Sequence, residues 1–148
     1  MSIPIIFVGC GNFALQRLQV LIDSSQFTPV ACVDIDIEKA QASLESLQGN
    51  VPKGLTDRVY TTISEAKEKH DAEVCFIFAV AKAHSKLVIE SLELGMHTFC
   101  VKVIACNQKE FKDVMMVHHR YPELMLVQGY NNQWNEAATK MREWLQSD

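Results

Sequence analysis

Ile3-Pro4-Ile5-Ile6-Phe7-Val8 runs directly into Gly9-Cys10-Gly11-Asn12-Phe13-Ala14, and the reading of this stretch decides the fold. An apolar, β-branched run breaks into G-x-G-x-x-A and then into a helical pattern, the strand–turn–helix setting that a dinucleotide-binding loop needs. The small residues have separate tasks. Gly9 permits the tight turn, Gly11 lets the backbone approach a pyrophosphate, and Ala14 lets the helix pack close to the strand. Free N–H groups near Asn12 and Phe13, at the start of the helix, then face the phosphates with the positive end of the helix dipole behind them.

Downstream, Phe13, Leu15, Leu18, Val20, Leu21 and Ile22 predict a helical stripe that closes near Asp23-Ser24-Ser25. Strand character returns over Phe27 to Val33 and stops at Asp34, 20 positions after Ala14. There a carboxylate can accept hydrogen bonds from an adenosine ribose and repel a 2′-phosphate, which favours NAD over NADP.

The alternation continues. Glu38 to Leu47 reads as a helix and Gln48 to Asp57 as a loop carrying Gly49, Pro52 and Gly54. Val59 to Thr62 is a short predicted strand, Ser64 the expected cap of a charged helix ending near His70, and Glu73 to Ala79 a strand buried on both faces. Further helices are expected over Ala83 to Leu94, Gln108 to His119 and Asn135 to Gln146, with strands over His97 to Val101 and Leu124 to Val127. Six strands alternating with helices imply an α/β fold: a doubly wound, parallel, six-stranded Rossmann sheet with helices on both faces.

Composition narrows the class further. The 148 residues suffice for one domain with a substantial core, and a net charge of −4 gives no general attraction for nucleic acid or anionic lipid. Cys10, Cys32, Cys75, Cys100 and Cys106 form no C-x-x-C pair and are odd in number, the pattern of free thiols in a reducing compartment. His97, His118 and His119 lack metal-ligand spacing, so no metal is expected. The first apolar segment has no basic flank, and the longest apolar run, Val74 to Ala81, is far short of a bilayer span. A soluble, cytoplasmic protein without membrane or nucleic-acid partners is expected.

Four later stretches resemble the N-terminal domain of the glucose–fructose oxidoreductase / inositol 2-dehydrogenase family, Gfo/Idh/MocA. Ala79-Val80-Ala81-Lys82-Ala83-His84 stands where that family has a strand end, a loop beneath the cofactor and a histidine opening the next helix. Ser91 to Cys100 resembles its A-L-E-A-G-K-H-V-L-C run, and Gly129-Tyr130-Asn131-Asn132-Gln133-Trp134 its G-F-N-R-R-F crossover. Val101-Lys102-Val103 occupies the place of its E-K-P motif with only the lysine retained. The resemblance implies an NAD-dependent oxidoreductase domain acting on a sugar, cyclitol or related polyol, with Lys102 at the substrate hydroxyl and Ala79, Val80 and His84 along the cofactor toward the nicotinamide. It also implies a Rossmann domain over residues 1–128, and a crossover and terminal helix over 129–148 leading to a substrate domain that lies outside this chain.

Simpler readings stand beside these. Without proline, a trans Lys102-Val103 bond is expected, since cis costs a non-proline residue roughly 3 kcal/mol. Lys102 also suits a solvated strand end, and His84 a simple helix start. Cys10 is either a thiol activated by the helix N-terminus or a side chain turned away from the phosphates. Trp134, Met141, Trp144 and Leu145 make a helix packing face or, without a second domain, a homo-oligomer interface. The altered E-K-P motif keeps open a non-catalytic dinucleotide-binding sensor or partner-binding module.

Overall fold

A computed structural model describes residues 2–130 and 136–145. The chain begins with β1 (Ile3–Val8), whose residues are shared between two cores in strict alternation: Ile5 and Phe7 face one, Ile6 and Val8 the other. That period of two, apolar on both sides, makes β1 a central strand. Helix α1 (Asn12–Asp23) and strand β2 (Phe27–Val33) follow, then α2 (Ile37–Leu44), a 3₁₀ turn (Leu55–Asp57) and the two-residue β3 (Val59–Tyr60). Next come α3 (Ile63–Lys69), β4 (Val74–Ile77), α4 (Ala81–Glu93), β5 (His97–Val101), α5 (Gln108–Arg120), β6 (Leu126–Gly129) and α6 (Glu136–Leu145).

The sheet is six-stranded in the order β3-β2-β1-β4-β5-β6, with every neighbouring pair parallel. The expected doubly wound α/β fold is therefore present. Ala14, Leu15, Leu18 and Ile22 of α1 and Ala40 and Leu44 of α2 seal one face of the sheet. On the other face, Ile63 and Ala66 of α3, Val88 and Leu92 of α4, and Val114 and Val117 of α5 form the second core. Pro29, which lacks an N–H to donate, is accommodated where the β1–β2 register slips: Ile5 pairs with Pro29 and Ile6 with Ala31.

Several boundaries differ from the sequence reading for local reasons. Thr62, not Ser64, caps α3, its hydroxyl accepting from the Glu65 N–H at 3.2 Å. Helix α4 starts two residues before the expected Ala83. Strand β6 begins at Leu126 rather than Leu124, because the Leu124 N–H closes a turn onto the Tyr121 carbonyl and the Met125 N–H donates to His97 Nδ1. Phe13 and Val20, placed on the buried stripe of α1, are exposed, since the narrow helix–sheet contact takes only one face. Of the expected crossover and tail stripe, Asn131 to Trp134 lie outside the described residues, and Met141, Trp144 and Leu145 are exposed on α6. Among the described residues no helix is long and apolar enough to cross a membrane, and no cluster of three or more His, Cys, Asp or Glu could hold a metal ion.

The orientation of α1 has a direct stability consequence. Leu18 is 0% exposed and Val20 59% exposed. In urea denaturation Leu18→Ala is expected to cost about 2–5 kcal/mol, and Val20→Ala under about 0.5 kcal/mol. Equal losses would contradict the placement.

Candidate cofactor site

The strand order reverses between β1 and β4, so α1 and α4 leave their strands toward opposite faces and open a crevice at the carboxyl edge of the sheet. Backbone hydrogen bonds draw the strand ends together there. The Gly9 N–H donates to the Val33 carbonyl at 2.8 Å, the Phe78 N–H to the Val8 carbonyl at 2.7 Å, and the Asp34 N–H to the Tyr60 carbonyl at 3.0 Å.

Gly9 is glycine for two reasons. Its φ of +92° is in the left-handed region, and a Cβ would lie 2.8 Å from the Phe78 carbonyl oxygen. Gly11 differs. It is the N-cap of α1 with an ordinary φ of −72°, and a Cβ there would meet nothing within 4 Å. Its missing side chain leaves room in front of the helix, which suits a ligand approaching the backbone. The first-turn N–H groups of α1 have no side-chain cap, and α4, capped by Val80, lacks one too. By contrast, Asp36, Thr62 and Asn107 cap α2, α3 and α5 with side-chain hydrogen bonds. Both α-helix N-termini that flank the crevice are thus uncapped, and there an anion can take the place of a capping side chain.

Asp34 is half-buried at the end of β2 and is fastened to the glycine loop. Its Oδ2 accepts from the Cys10 N–H at 2.7 Å and its Oδ1 from the Asp36 N–H at 3.1 Å. A carboxylate has about four acceptor sites, so two stay available to a ligand. Beside it Ile35 is 93% exposed, an aliphatic side chain at a polar loop tip that the sequence reading passed over. The Arg58 guanidinium donates to the carbonyls of Lys53 and Gly54. Cys10 is buried and its thiol packs against Cys32, whose own thiol is held well above the usual range by that hydrogen bond and by burial. The Cys10 side chain is therefore turned into the core, the second of its two expected readings. Burial also pushes the Cys75 and Cys100 thiols up to about 12.

On the far side of the crevice Val80 is 75% exposed and Ala79 half-buried. Lys102 is exposed just past β5, and its ammonium makes no hydrogen bond or ion pair among the described residues. The Lys102-Val103 peptide bond is cis, contrary to the trans bond expected without proline. His84 is also placed differently from the sequence reading. It is 1% exposed, with Nδ1 2.6 Å from the Val103 carbonyl oxygen and Nε2 2.8 Å from that of Ala79. With both ring nitrogens engaged by backbone, it does not line the crevice. Asp34, the Gly9–Phe13 loop, Ala79–Val80 and Lys102 follow the ends of β2, β1, β4 and β5, adjacent strands in that order. Three strand spacings separate the first from the last, roughly 14 Å, the scale of an extended dinucleotide rather than a compact metabolite.

Residues 3–128 match the family model GFO_IDH_MocA, described as an oxidoreductase family with an NAD-binding Rossmann fold. The chain belongs to the Gfo/Idh/MocA family. A curated relative, the inositol 2-dehydrogenase/D-chiro-inositol 3-dehydrogenase of Lactiplantibacillus plantarum, is 26% identical over 145 residues, covering 97% of this chain and 39% of the relative. Among solved structures, the myo-inositol dehydrogenase of Lactobacillus casei in complex with NAD(H) and myo-inositol superposes with a TM-score of 0.86 at 19% identity, covering 98% of this chain and 41% of that one. The scyllo-inositol dehydrogenase of Lactobacillus casei, with bound NAD(H) and scyllo-inositol, gives 0.81 at 16% identity over 98% and 41%. The chain thus spans about two fifths of the length of these relatives, the part that carries the family's NAD-binding Rossmann domain.

The two loop glycines should behave oppositely in the Gfo/Idh/MocA fold. Gly9→Ala meets backbone and a strained φ, so urea denaturation should show a loss of about 1–3 kcal/mol or more. Gly11→Ala enters open space at ordinary φ and should cost less than about 1 kcal/mol, the difference between glycine and alanine at an N-cap. Reversal of that order would contradict the loop geometry.

Proposed function

We propose that this chain binds NAD in the crevice for hydride transfer with a cyclitol, sugar or related polyol. The observation that carries the reading is the junction of two features in one loop: the uncapped α1 N-terminus at Gly11, and the Asp34 carboxylate held by the neighbouring Cys10 N–H at 2.7 Å. The N–H groups at Asn12 and Phe13 receive the pyrophosphate, and the free acceptor sites of Asp34 receive the adenosine ribose hydroxyls. A 2′-phosphate would meet the Asp34 carboxylate, which supports NAD over NADP.

When bound, the nicotinamide supplies the hydride acceptor for a carbinol carbon. Val80 bounds its end of the crevice through exposed apolar surface. Lys102, whose ammonium makes no hydrogen bond or ion pair among the described residues, holds the substrate hydroxyl and steadies the negative charge that develops on its oxygen as water or another general base takes the proton. The polyol class rests on the inositol dehydrogenases that this chain is similar to. Val101 and Val103, in place of the family's glutamate and proline, favour a second reading, a dinucleotide-binding module without turnover.

Calorimetric titration with NADH and NADPH tests the first step. Tighter binding of NADH is expected. Gly11→Ala should weaken it by at least about tenfold, and Asp34→Ala should weaken it and narrow its lead over NADPH. Failure of NADH to bind at millimolar concentration would overturn the proposal, and unchanged selectivity in Asp34→Ala would overturn the ribose assignment. If NADH binds, a panel of inositols and other polyols with NAD, followed at the nicotinamide absorbance, divides enzyme from module. Turnover that vanishes in Lys102→Ala is the expected result, and no turnover with any polyol is the module's.

A further inference from the structure

We propose that His84 is a positioning residue for the nicotinamide end of the crevice, tying the backbone after β4 to the backbone after β5. This rests on the NAD reading above. The β4–β5 ladder ends with the pair Ile77 and Cys100. Beyond it, among the described residues, no backbone hydrogen bond joins residues 79–80 to 102–103. The side chain of His84 spans that gap, with Nε2 2.8 Å from the Ala79 carbonyl oxygen and Nδ1 2.6 Å from the Val103 carbonyl oxygen.

The two carbonyls are well chosen for such a tie. Ala79 immediately precedes Val80, the exposed N-cap of α4, and Val103 immediately follows Lys102. One buried ring thereby fixes the backbone that presents both groups assigned to the nicotinamide and substrate. Its burial excludes competing water, which strengthens each hydrogen bond and makes the loss of either costly. Carbonyl oxygens only accept, so the two contacts are both hydrogen bonds when the ring carries a proton on each nitrogen and donates to Val103 and to Ala79; so engaged, it has no polar atom left for a ligand. It acts through Val80 and Lys102 and touches neither cofactor nor substrate. Anchoring on α4, whose Val88 and Leu92 lie in the core, makes the tie rigid.

A ligand pair separates this role from general support of the fold. NADH reaches the nicotinamide end, whereas ADP-ribose carries the same adenosine and pyrophosphate without the nicotinamide. His84→Phe keeps a ring of similar size and removes both ties. Its affinity for NADH is expected to fall by on the order of tenfold, with that for ADP-ribose within about twofold of the unsubstituted chain. His84→Gln, whose amide nitrogen carries two donors, should recover much of the loss. Amide hydrogen exchange without any ligand should also quicken over residues 101–106 in His84→Phe while the β1–β2 core is unchanged. If His84→Phe does not fold, His84→Asn, too short to reach both carbonyls, carries the same test.

Equal weakening of NADH and ADP-ribose, or an unsubstituted chain that binds NADH no tighter than ADP-ribose, would overturn the positioning role. Unaltered exchange over residues 101–106 would overturn the tie itself. Absence of binding of either ligand to the unsubstituted chain would overturn the NAD reading, and with it the cofactor consequence, while the exchange measurement still decides the tie.

Discussion

The close approach of Gly9 to the backbone of Phe78 and Ala79 is the constraint on which the crevice depends. β1 and β4 are neighbours with helices leaving toward opposite faces, so their loops must separate at the point where the strands are still in contact. Gly9 resolves this by turning at φ +92° with its backbone against the Phe78 carbonyl, where no Cβ fits. The Phe78 N–H to Val8 carbonyl bond at 2.7 Å holds the partner loop in place. Only with that turn does α1 begin directly in front of β1, its N–H groups exposed to the crevice. Stacking of Phe7 on Phe78, with ring centroids 5.0 Å apart, supports the junction from the core side.

Electrostatics then follow from backbone geometry. Two uncapped helix N-termini face the crevice and favour an anion, whereas Asp34 and Asp36 at one end disfavour a second anion there. The same edge therefore favours negative charge at its middle and disfavours it at its β2 end. Asp34 also does structural work, since the hydrogen bond from Cys10 couples the tip of β2 to the glycine loop. A substitution there is expected to loosen the loop as well as remove an acceptor. Selectivity between two ligands, rather than affinity for one, is the cleaner measure of the ribose role proposed for it.

Much of this was legible in the sequence because it is local. The apolar run before Gly9, the G-x-G-x-x-A spacing and Asp34 at the next strand end fix the strand–turn–helix–strand unit from short-range chemistry, and repetition of strand and helix gives the parallel sheet. What escaped was non-local. The burial of His84 depends on carbonyls at Ala79 and Val103, the second of them 19 positions away, and no pattern around His84 announces it. Exposure of Phe13 and Val20 depends on how α1 sits on the sheet, which periodicity alone does not determine. Ile35 was the more findable omission: an aliphatic residue between two aspartates at a strand tip has little structural reason to be there. The cis Lys102-Val103 bond runs against the intrinsic preference of a non-proline residue, on which the expectation of a trans bond rested.

The central claim is that a dinucleotide lies along the carboxyl edge with its pyrophosphate at the Gly9–Phe13 loop and its adenosine ribose at Asp34. Backbone amide chemical shifts of the ¹⁵N-labelled chain, recorded during titration with NADH, test it most directly. The largest changes are expected on Gly9 to Ala14, Asp34 to Asp36 and Val80, at the ends of three adjacent strands, with the N-terminal end of β1 and the outer surface of α5 unmoved. Changes that spare the glycine loop, or that centre on a different edge of the sheet, would contradict it.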